Sequence, residues 1–287
     1  MEKLNLQQIQ QEELNMLKDI IEFLKKHNIK YYICGGTAIG AIRHKGFIPW
    51  DDDIDIMMPR PDFEKFQKFV KDNEKKLNDY LEVISYDLGN MSFPLCKVEK
   101  KNLILDEVCV QEDNQKYLWI DVFPIDGFPE SEEESKKFYK KVLRMRKLVI
   151  ISCSNKKHLI HYCKRKIYII PKLIMRFFLK NIKEKIAEKY SNFVKKYNYE
   201  NSKYVGAVVW GYGPQERLLK EKIKDFKASF EWLEVNLMEC YDEYLTNLYG
   251  DYMQLPPIEK RFNHQLIVYK IGDEEKDEKD LNRVCNK

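Results

Sequence analysis

Four aspartates within five residues, in the run DDDID at positions 51 to 55, could hold a divalent cation. On a β-strand alternate side chains share a face, so Asp53 and Asp55 would stand side by side, about 6.6 Å apart at Cα, with Ile54 and Ile56 in the core. Carboxylates this close repel each other, and a hard cation such as Mg²⁺ or Mn²⁺ relieves the repulsion. An exposed acidic turn is the alternative interpretation. The pattern therefore predicts a metal site on a strand.

A third carboxylate is needed if two cations are to be held ~3.5–4 Å apart for displacement at phosphorus. Asp121 is the best candidate, because it lies in the apolar segment LWIDVF at positions 118 to 123, where an unpaired charge would be costly. A buried arginine is the alternative partner for this side chain. Asp126 follows in the sequence PIDG, which is typical of an ordinary turn. The predicted catalytic and metal-binding residues are therefore Asp53, Asp55 and Asp121.

A pair of glycines, Gly35 and Gly36, precedes the aspartates and ends a short predicted strand at residues 30–34. Because glycine lacks Cβ, the backbone can approach a ligand closely here. A helix that starts directly afterwards, with Thr37 as its cap, would present free N–H groups to a phosphate. Glycine pairs are common in turns, but next to an acidic strand this pair predicts a phosphate-binding site.

Basic side chains that could contact phosphate oxygens occur at three places. Three lie between the glycines and the aspartates, one lies on a predicted strand, and two follow the double proline at 256–257: Arg43, His44, Lys45, Lys97, Arg261 and His264. An arginine can bind phosphate in a bidentate manner. For the first three residues a solvated loop is an equally good interpretation.

The hydrophobic spacing around these residues predicts an α+β fold with a mixed β-sheet and flanking helices. Helices are predicted at residues 4–26, 37–43 and 61–76, and strands at residues 30–34, 52–57, 82–86, 94–100, 103–108 and 118–123.

The second half of the chain is predicted to be mainly helical and basic. Helices are expected from residue 131 to about residue 197, with breaks at 152–156 and at Pro171, and again at 232–248. Residues 204–213 are interpreted as a strand or as a loop over the site. We expect a catalytic core at residues 1–130, a basic helical region at 131–200 and a C-terminal helical region at 201–287 that completes the site.

Composition indicates a globular chain in a reducing compartment. The 287 residues are 44% hydrophobic and 13% aromatic, which is enough for a packed core. No apolar leader follows the first residues, and no run approaches the ~18 apolar residues of a membrane span. The seven cysteines form no CxxC pair, so we expect a cytoplasmic protein without a disulfide framework. Walker, Rossmann and GxSxG motifs are also absent.

The net charge of +4 conceals a strong asymmetry. Residues 136–196 contain 20 Lys or Arg against two glutamates, so the remainder of the chain is acidic. This segment is either a solvated helical face or a peripheral contact with anionic lipids at the inner face of the plasma membrane. Its aromatic residues are not regularly interleaved with the cations, so no nucleic acid partner is expected.

The glycine and aspartate blocks closely resemble the signature of the LicD family, within the nucleotidyltransferase-fold superfamily that also includes the fukutin-type enzymes. The resemblance rests on GGT at 35–37, RHKGFIPWDDDID at 43–55, WIDVFP at 119–124, YGDYM at 249–253, LPP at 255–257 and KR at 260–261. It covers the chain from about residue 31 to residue 264. No pattern matches the basic segment at residues 147–185.

This resemblance implies a nucleotidyltransferase-type core and a transferase for a substituted phosphate group. LicD-like enzymes move phosphocholine from CDP-choline to a sugar hydroxyl of a cell-surface glycan or teichoic acid precursor, which is often assembled on a lipid carrier. The resemblance implies a Mg²⁺ or Mn²⁺ cofactor bound by Asp53, Asp55 and Asp121. It also implies a donor diphosphate that lies along the two glycines.

The two remaining aspartates of the run are expected to lie at the substrate. Asp51 would be an accessory acid beside the metal ligands, and Asp52 a further substrate contact. No motif identifies a quaternary ammonium group, although Trp210, Tyr212 and Tyr252 are available for an aromatic cage.

Other functions stay open at this level. Phosphoethanolamine, ribitol phosphate or glycerol phosphate could be transferred from a CDP donor instead, and the same fold can transfer a nucleotide from a nucleoside triphosphate. A membrane-surface scaffold with a decayed site is the alternative that is not an enzyme. The presence of all three carboxylates argues against it.

Overall fold

A mixed β-sheet lies at the centre of the fold. The computed structural model describes residues 1–112, 115–163 and 165–271. The strands within them are β1 (Glu2–Lys3), β2 (Tyr32–Ile33), β3 (Asp55–Pro59), β4 (Leu81–Ser85), β5 (Cys96–Leu105), β6 (Tyr117–Phe128), β7 (Tyr204–Ala207), β8 (Leu218–Leu219), β9 (Asp225–Phe230), β10 (Leu233–Met238) and β11 (Val268–Lys270).

The strand order determines which side chains become neighbours. The main sheet runs β1-β11-β5-β6-β3-β2, with β4 beside β5 and with β7 joined to both β6 and β8, while β9 and β10 form a separate hairpin. β3 and β6 are parallel, and the other paired strands are antiparallel. β6 is therefore central, between β5 and β3.

Helices flank this sheet, which confirms the predicted α+β class. They are α1 (Leu6–Lys26), α2 (Gly35–Ile39), α3 (Arg60–Asp72), α4 (Glu132–Cys153), α5 (Lys156–His161), α6 (Ile169–Leu179), α7 (Lys183–Val194) and α8 (Tyr241–Tyr249). α2 continues as a π-helical turn, Gly40–His44. α1 begins after Asn5, whose side chain accepts the Gln8 N–H, as expected for an N-cap.

Around the candidate site, residues 54–56 and 120–122 each place apolar side chains on one face of the sheet and one aspartate on the other. Ile54 and Ile56 are 1% and 0% exposed, and Ile120 and Val122 are fully buried. Because side chains alternate along a strand, Asp121 points to the face opposite Ile120 and Val122. The hydrophobic alternation thus fixes the side of the sheet on which this carboxylate lies.

The strand that contains Asp121 does not end at Pro124, as the sequence predicted, but continues to Phe128. Asp126 therefore lies within β6 and not in a turn. It is buried, and its two carboxylate oxygens accept from the Arg60 guanidinium at 2.7 and 2.8 Å. The buried arginine that was considered as a partner for Asp121 pairs with Asp126 instead.

The predicted strands at 94–100 and 103–108 are one strand, β5, with a register shift between Glu99 and Ile104. The predicted helix at 232–248 is also wrong in its first half, which forms strand β10. Leu233, Val235 and Leu237 have the alternation of a strand, with Val235 and Leu237 buried against the core. Within the predicted range only α8 is helical, and it ends at Gly250, where φ is +69°.

The basic region is helical, and α4 ends at Cys153 within the predicted break. Pro171 does not interrupt a helix, because it lies in the first turn of α6, where its missing N–H has no intrahelical partner to lose. Residues 272–287 of the predicted C-terminal region lie outside the described residues. Among the described helices, none combines the length and the hydropathy needed to cross a membrane.

Candidate active site

Asp55, Asp121 and Lys97 lie next to each other on three adjacent strands. Asp55 of β3 is in register with Asp121 of β6, and Asp121 is in register with Lys97 of β5. Lys97 Nζ lies 2.9 Å from Asp121 Oδ1, and Trp119 Nε1 donates to Asp121 Oδ2 at 2.7 Å. The ammonium group also sits 4.0 Å from the centroid of the Trp119 ring. Lys97 was predicted to bind phosphate, and here it orients a carboxylate.

Asp53 reaches the same place from the extended segment before β3. The strand begins only at Asp55, so the expected side-by-side pair on one strand does not form. Asp53, Asp55 and Asp121 nevertheless line one cavity of about 120 Å³, together with Gly35. The three predicted metal ligands are thus brought together by a strand, its preceding segment and a neighbouring strand.

The electrostatics of the cluster favour a bound cation. Burial raises the pKa of Asp55 well above its ordinary value, and repulsion from Asp53 and Asp121 raises it further. Burial also raises the pKa of Asp53, an effect that the nearby His264 partly offsets. The pKa of Asp51 rises to about 8 through burial and the adjacent Asp53 charge. Oxygen ligands whose negative charges repel one another fit Mg²⁺ or Mn²⁺.

The glycine pair allows the first turn of α2 to lie against these carboxylates. Gly35 has φ of +56°, and a Cβ there would lie 3.3 Å from Asp55 Oδ2. A Cβ on Gly36 would lie 2.7 Å from Asp51 Oδ2, closer than real side chains come. Gly35 is therefore favoured by its backbone conformation as well as by any role in binding phosphate, and a side chain on Gly36 would displace the Asp51 carboxylate.

Thr37 has a different role from the predicted helix cap. α2 begins two residues earlier, after Cys34, without a side-chain cap. Thr37 Oγ1 instead accepts the Asp55 N–H at 2.9 Å. This hydrogen bond ties the start of β3 to α2 and helps to fix the position of Asp55.

Asp52 holds the chain near the C-terminus instead of facing a substrate. It is 2% exposed, and its two oxygens accept the backbone N–H groups of His264 at 2.7 Å and Leu266 at 2.9 Å. His264 Nδ1 consequently lies 3.4 Å from both Asp52 Oδ1 and Asp53 Oδ2. The contact with Asp52, and then the charge of Asp53, raise the pKa of His264.

Within the described part of the chain, Asp52, Asp53 and His264 form a group that could hold a metal ion. One potential ligand atom of each lies within 4.8 Å of the other two. Spacing in the sequence gave no support to His264 as a site residue, and the structure places it at the acidic cluster.

The other predicted basic contacts line neither this cavity nor the one next to it. The Arg43 guanidinium donates to the carbonyls of Tyr252 and Gln254 and to His44 Nε2. Arg261 stacks on Trp50 at 4.7 Å and donates to the carbonyl of Pro256. The fourth side chain, Lys45, lines a separate surface groove beside the β9–β10 hairpin. The contacts of Arg43 and Arg261 with backbone carbonyls fix the chain around the site.

A second cavity of about 260 Å³ adjoins the first, and both are lined by Asp53, Asp121, Phe123, Trp210 and His264. Its remaining walls are largely apolar and aromatic, and they include Phe93, Trp119 and Tyr162.

The residues considered for an aromatic cage are only partly brought together. Trp210 lines both cavities and Tyr212 lines the first. Tyr252 lies elsewhere, with its hydroxyl donating to Asp242 at 2.7 Å.

Sequence reasoning missed Glu13, which lies on the buried face of α1. It is fully buried, and neither of its carboxylate oxygens has a hydrogen-bond partner among the described residues. Burial raises its pKa well above the ordinary value, with further contributions from the charges of the aspartate run. The signal was available, because Glu13 interrupts the apolar spacing of Ile9, Leu17 and Ile20.

Residues 204–213 were interpreted as a strand or as a loop over the site, and they form strand β7 followed by a loop whose Trp210 and Tyr212 line the first cavity. Glu216, which follows this loop, was overlooked. Its carboxylate accepts the Tyr212 N–H, and burial raises its pKa to about 7. Tyr244 of α8 is a further contact, since the Gly35 N–H donates to its hydroxyl oxygen.

Comparison with known proteins covers the part of the chain that contains the glycine pair and the aspartate run. Residues 28–148 match the family model described as LicD/FKTN/FKRP, nucleotidyltransferase domain. The chain is 30% identical to the lipopolysaccharide cholinephosphotransferase LicD of Haemophilus influenzae over 271 residues, which cover 93% of this chain and 98% of that protein. The chain belongs to the LicD family. An uncharacterised protein of Rickettsia prowazekii is 34% identical over 115 residues, 40% of this chain and 39% of its own.

The family match confirms the resemblance inferred from the motifs. The LicD model covers the glycine pair, the aspartate run, Lys97 and Asp121, whereas His264 lies outside it. The longer alignment with the Haemophilus influenzae relative extends beyond this core and covers nearly the whole chain.

Proposed function

We propose that this protein is a metal-dependent transferase that moves phosphocholine from CDP-choline to a sugar hydroxyl of a cell-surface glycan precursor. The observation that carries the proposal is the shared cavity of Asp53, Asp55 and Asp121, beside Gly35. The full-length similarity to a lipopolysaccharide cholinephosphotransferase supports the reaction class.

Asp53, Asp55 and Asp121 would hold Mg²⁺ or Mn²⁺. The ion would supply charge neutralisation at the donor diphosphate and at the departing CMP. Lys97 and Trp119 contribute by fixing both oxygens of Asp121, so that this ligand is oriented before substrate arrives. Thr37 does the same for the backbone of Asp55.

The two adjoining cavities provide for two reactants. The first, beside the glycine pair, would receive the diphosphate, because no side chain projects from Gly35 or Gly36. The second opens onto the same carboxylates and would hold the transferred head group together with the acceptor hydroxyl that attacks the phosphorus. The sugar hydroxyl must lose its proton as it attacks, and a carboxylate of the cluster would take that proton.

The aromatic walls favour choline among the possible head groups. A trimethylammonium group is attracted to the faces of aromatic rings, and Phe93, Phe123 and Tyr162 line the second cavity. The hydroxyl groups of ribitol phosphate or glycerol phosphate would need hydrogen-bonding side chains instead of aromatic rings.

The experiment is a comparison of donors with the full chain. CDP-choline, CDP-ethanolamine, CDP-ribitol, CDP-glycerol and nucleoside triphosphates are each supplied with Mg²⁺ and a glycan acceptor, and CMP and pyrophosphate are quantified. We expect CMP release to be fastest with CDP-choline and to stop when EDTA is added. Release of pyrophosphate from a triphosphate, without CMP release from any CDP donor, would assign the site to nucleotidyl transfer.

A further inference from the structure

Helix α6 presents its apolar side chains to solvent. The helix reads IIPKLIMRFFL, and none of its residues is buried. Ile170, Ile174, Phe177 and Phe178 are 70%, 55%, 63% and 70% exposed. Their spacing of three and four residues places them on one side of the helix, and Ile167, 79% exposed, precedes them. We refer to these five residues as the α6 face.

The charged side chains of α6 point towards the protein. Arg176 donates to the Ser154 carbonyl at 2.9 Å, and Lys172 Nζ lies 3.5 Å from Cys163 Sγ. This is the reverse of an ordinary surface helix, which packs its apolar side against the core. Clustered exposed apolar side chains of this kind mark an interaction surface.

The charge around the α6 face identifies the kind of partner. The helix itself contains no acidic residue. Exposed basic residues flank it at both ends: Arg165, Lys166, Lys180, Lys183 and Lys185. A second copy of the chain would bring these like charges together. An anionic lipid surface complements the charges and the apolar side chains at the same time.

We propose that α6 docks the protein onto an anionic phospholipid bilayer, with the α6 face in the interfacial region. Eleven residues of helix extend about 16 Å, well short of the ~30 Å hydrocarbon core, so the helix lies along the surface. The basic residues then reach the lipid phosphates from the flanks.

This arrangement also has a consequence for the candidate site. Helix α5, the helix before α6 in the chain, carries His158, and Tyr162 follows it. Both side chains line the second cavity. A docked α6 would hold that cavity near the membrane surface, which suits an acceptor carried on a lipid. This consequence rests on the proposed function, whereas the binding of vesicles does not.

The test is co-sedimentation of the full chain with vesicles. Vesicles of phosphatidylcholine alone and of phosphatidylcholine with phosphatidylglycerol are compared at low and high salt. The variant Ile174→Ser/Phe178→Ser changes only exposed side chains, and circular dichroism checks that it is folded. Its matched control is Ile258→Ser/Phe262→Ser, because Ile258 and Phe262 are 78% and 74% exposed and lie outside α6.

We expect the wild type to bind vesicles that contain phosphatidylglycerol, with weaker binding at high salt. The α6 variant should lose at least about tenfold in partition coefficient, because two apolar side chains no longer enter the lipid. The control variant should bind like the wild type. Equal binding by the α6 variant, or equal loss in both variants, would overturn the proposal. Self-association without lipid that the α6 variant abolishes, with no vesicle binding, would assign the face to a second copy.

The charge component is tested separately. Lys180→Gln/Lys183→Gln removes two charges beside α6, and Lys136→Gln/Lys137→Gln removes two at the exposed start of α4. We expect the first variant to bind anionic vesicles about tenfold more weakly than the second. The same loss in both would contradict a site centred on α6.

Discussion

Lys97 and Asp121 form a largely buried ion pair across the antiparallel strands β5 and β6, with Nζ 2.9 Å from Oδ1. The lysine also contacts the Trp119 ring, and the Trp119 N–H donates to the other oxygen of Asp121. Asp121 is thus held in one orientation by two groups from its own sheet. A carboxylate fixed in this way is preorganised for a ligand that it shares with Asp53 and Asp55.

Replacing Lys97 by methionine should therefore impair turnover more than folding. The methionine keeps the apolar contact with Trp119 but leaves Asp121 without its counter-charge, so the carboxylate can turn away from the site. We expect a fall of about 10² in kcat/KM for the donor, the scale of loss when a reacting group is misplaced by about 1 Å. Steady-state CMP release measures this effect.

Lys101→Met is the control for that substitution. Lys101 lies on the same strand, and its half-exposed side chain pairs with Glu82. We expect nearly unchanged turnover in this variant. Similar losses in the Lys97 and Lys101 variants would show that the strand, and not the orientation of Asp121, is responsible.

The buried charge of Asp55 should destabilise the metal-free protein. Burial and the neighbouring carboxylates raise its pKa in the folded state, so the folded state retains a proton that the unfolded chain releases. The free energy of unfolding is therefore highest below the unfolded pKa of about 3.9, and it falls as the pH rises through the folded pKa. We expect Asp55→Asn in EDTA to be more stable than the wild type at pH 8, with a smaller difference at pH 5.

Thermal unfolding at pH 5 and pH 8 checks this sign. Mg²⁺ or Mn²⁺ should raise the Tm of the wild type, because a ligand that binds only the folded state stabilises it. The Asp55→Asn variant should lose most of that increase. An unchanged response to the metal would contradict the assignment of Asp55 as a ligand, whereas Asp79→Asn, at an exposed position, should behave as the wild type does.

The buried pair of Arg60 and Asp126 should be a structural requirement rather than part of the chemistry. Removing one partner, as in Asp126→Leu, leaves an uncompensated buried charge and should cost about 3–5 kcal/mol in the free energy of unfolding. Replacing both by leucine should recover much of that loss. Urea unfolding of the two variants measures the difference, and a double variant less stable than the single one would refute this view.

The sequence was sufficient for the features that depend on local pattern. The alternation of apolar residues around Ile56 and Val122 predicts two strands, and the acidic residues on them, Asp55 and Asp121, are indeed neighbours. The apolar spacing of α1 likewise predicts its position, although Glu13 within that spacing was overlooked.

The features that depend on distant parts of the chain could not be predicted. Asp52 accepts hydrogen bonds from His264 and Leu266, more than 200 residues away, and no spacing rule connects them. The pairing of Lys97 with Asp121 depends on the register between two strands, and the choice of Asp126 as the partner of Arg60 depends on β6 continuing past Pro124. In each case tertiary contacts selected one partner among several chemically suitable ones.

The most direct test of the acidic centre is the rate of CMP release from CDP-choline with Mg²⁺, compared between Asp55→Asn and Asp79→Asn. Both variants remove one negative charge, but only the first removes it from the shared cavity. We expect Asp55→Asn to lose about 10³-fold or more in rate and Asp79→Asn to retain the rate of the wild type. An Asp55→Asn enzyme that releases CMP as fast as Asp79→Asn would contradict the assignment of the carboxylate cluster as the catalytic centre.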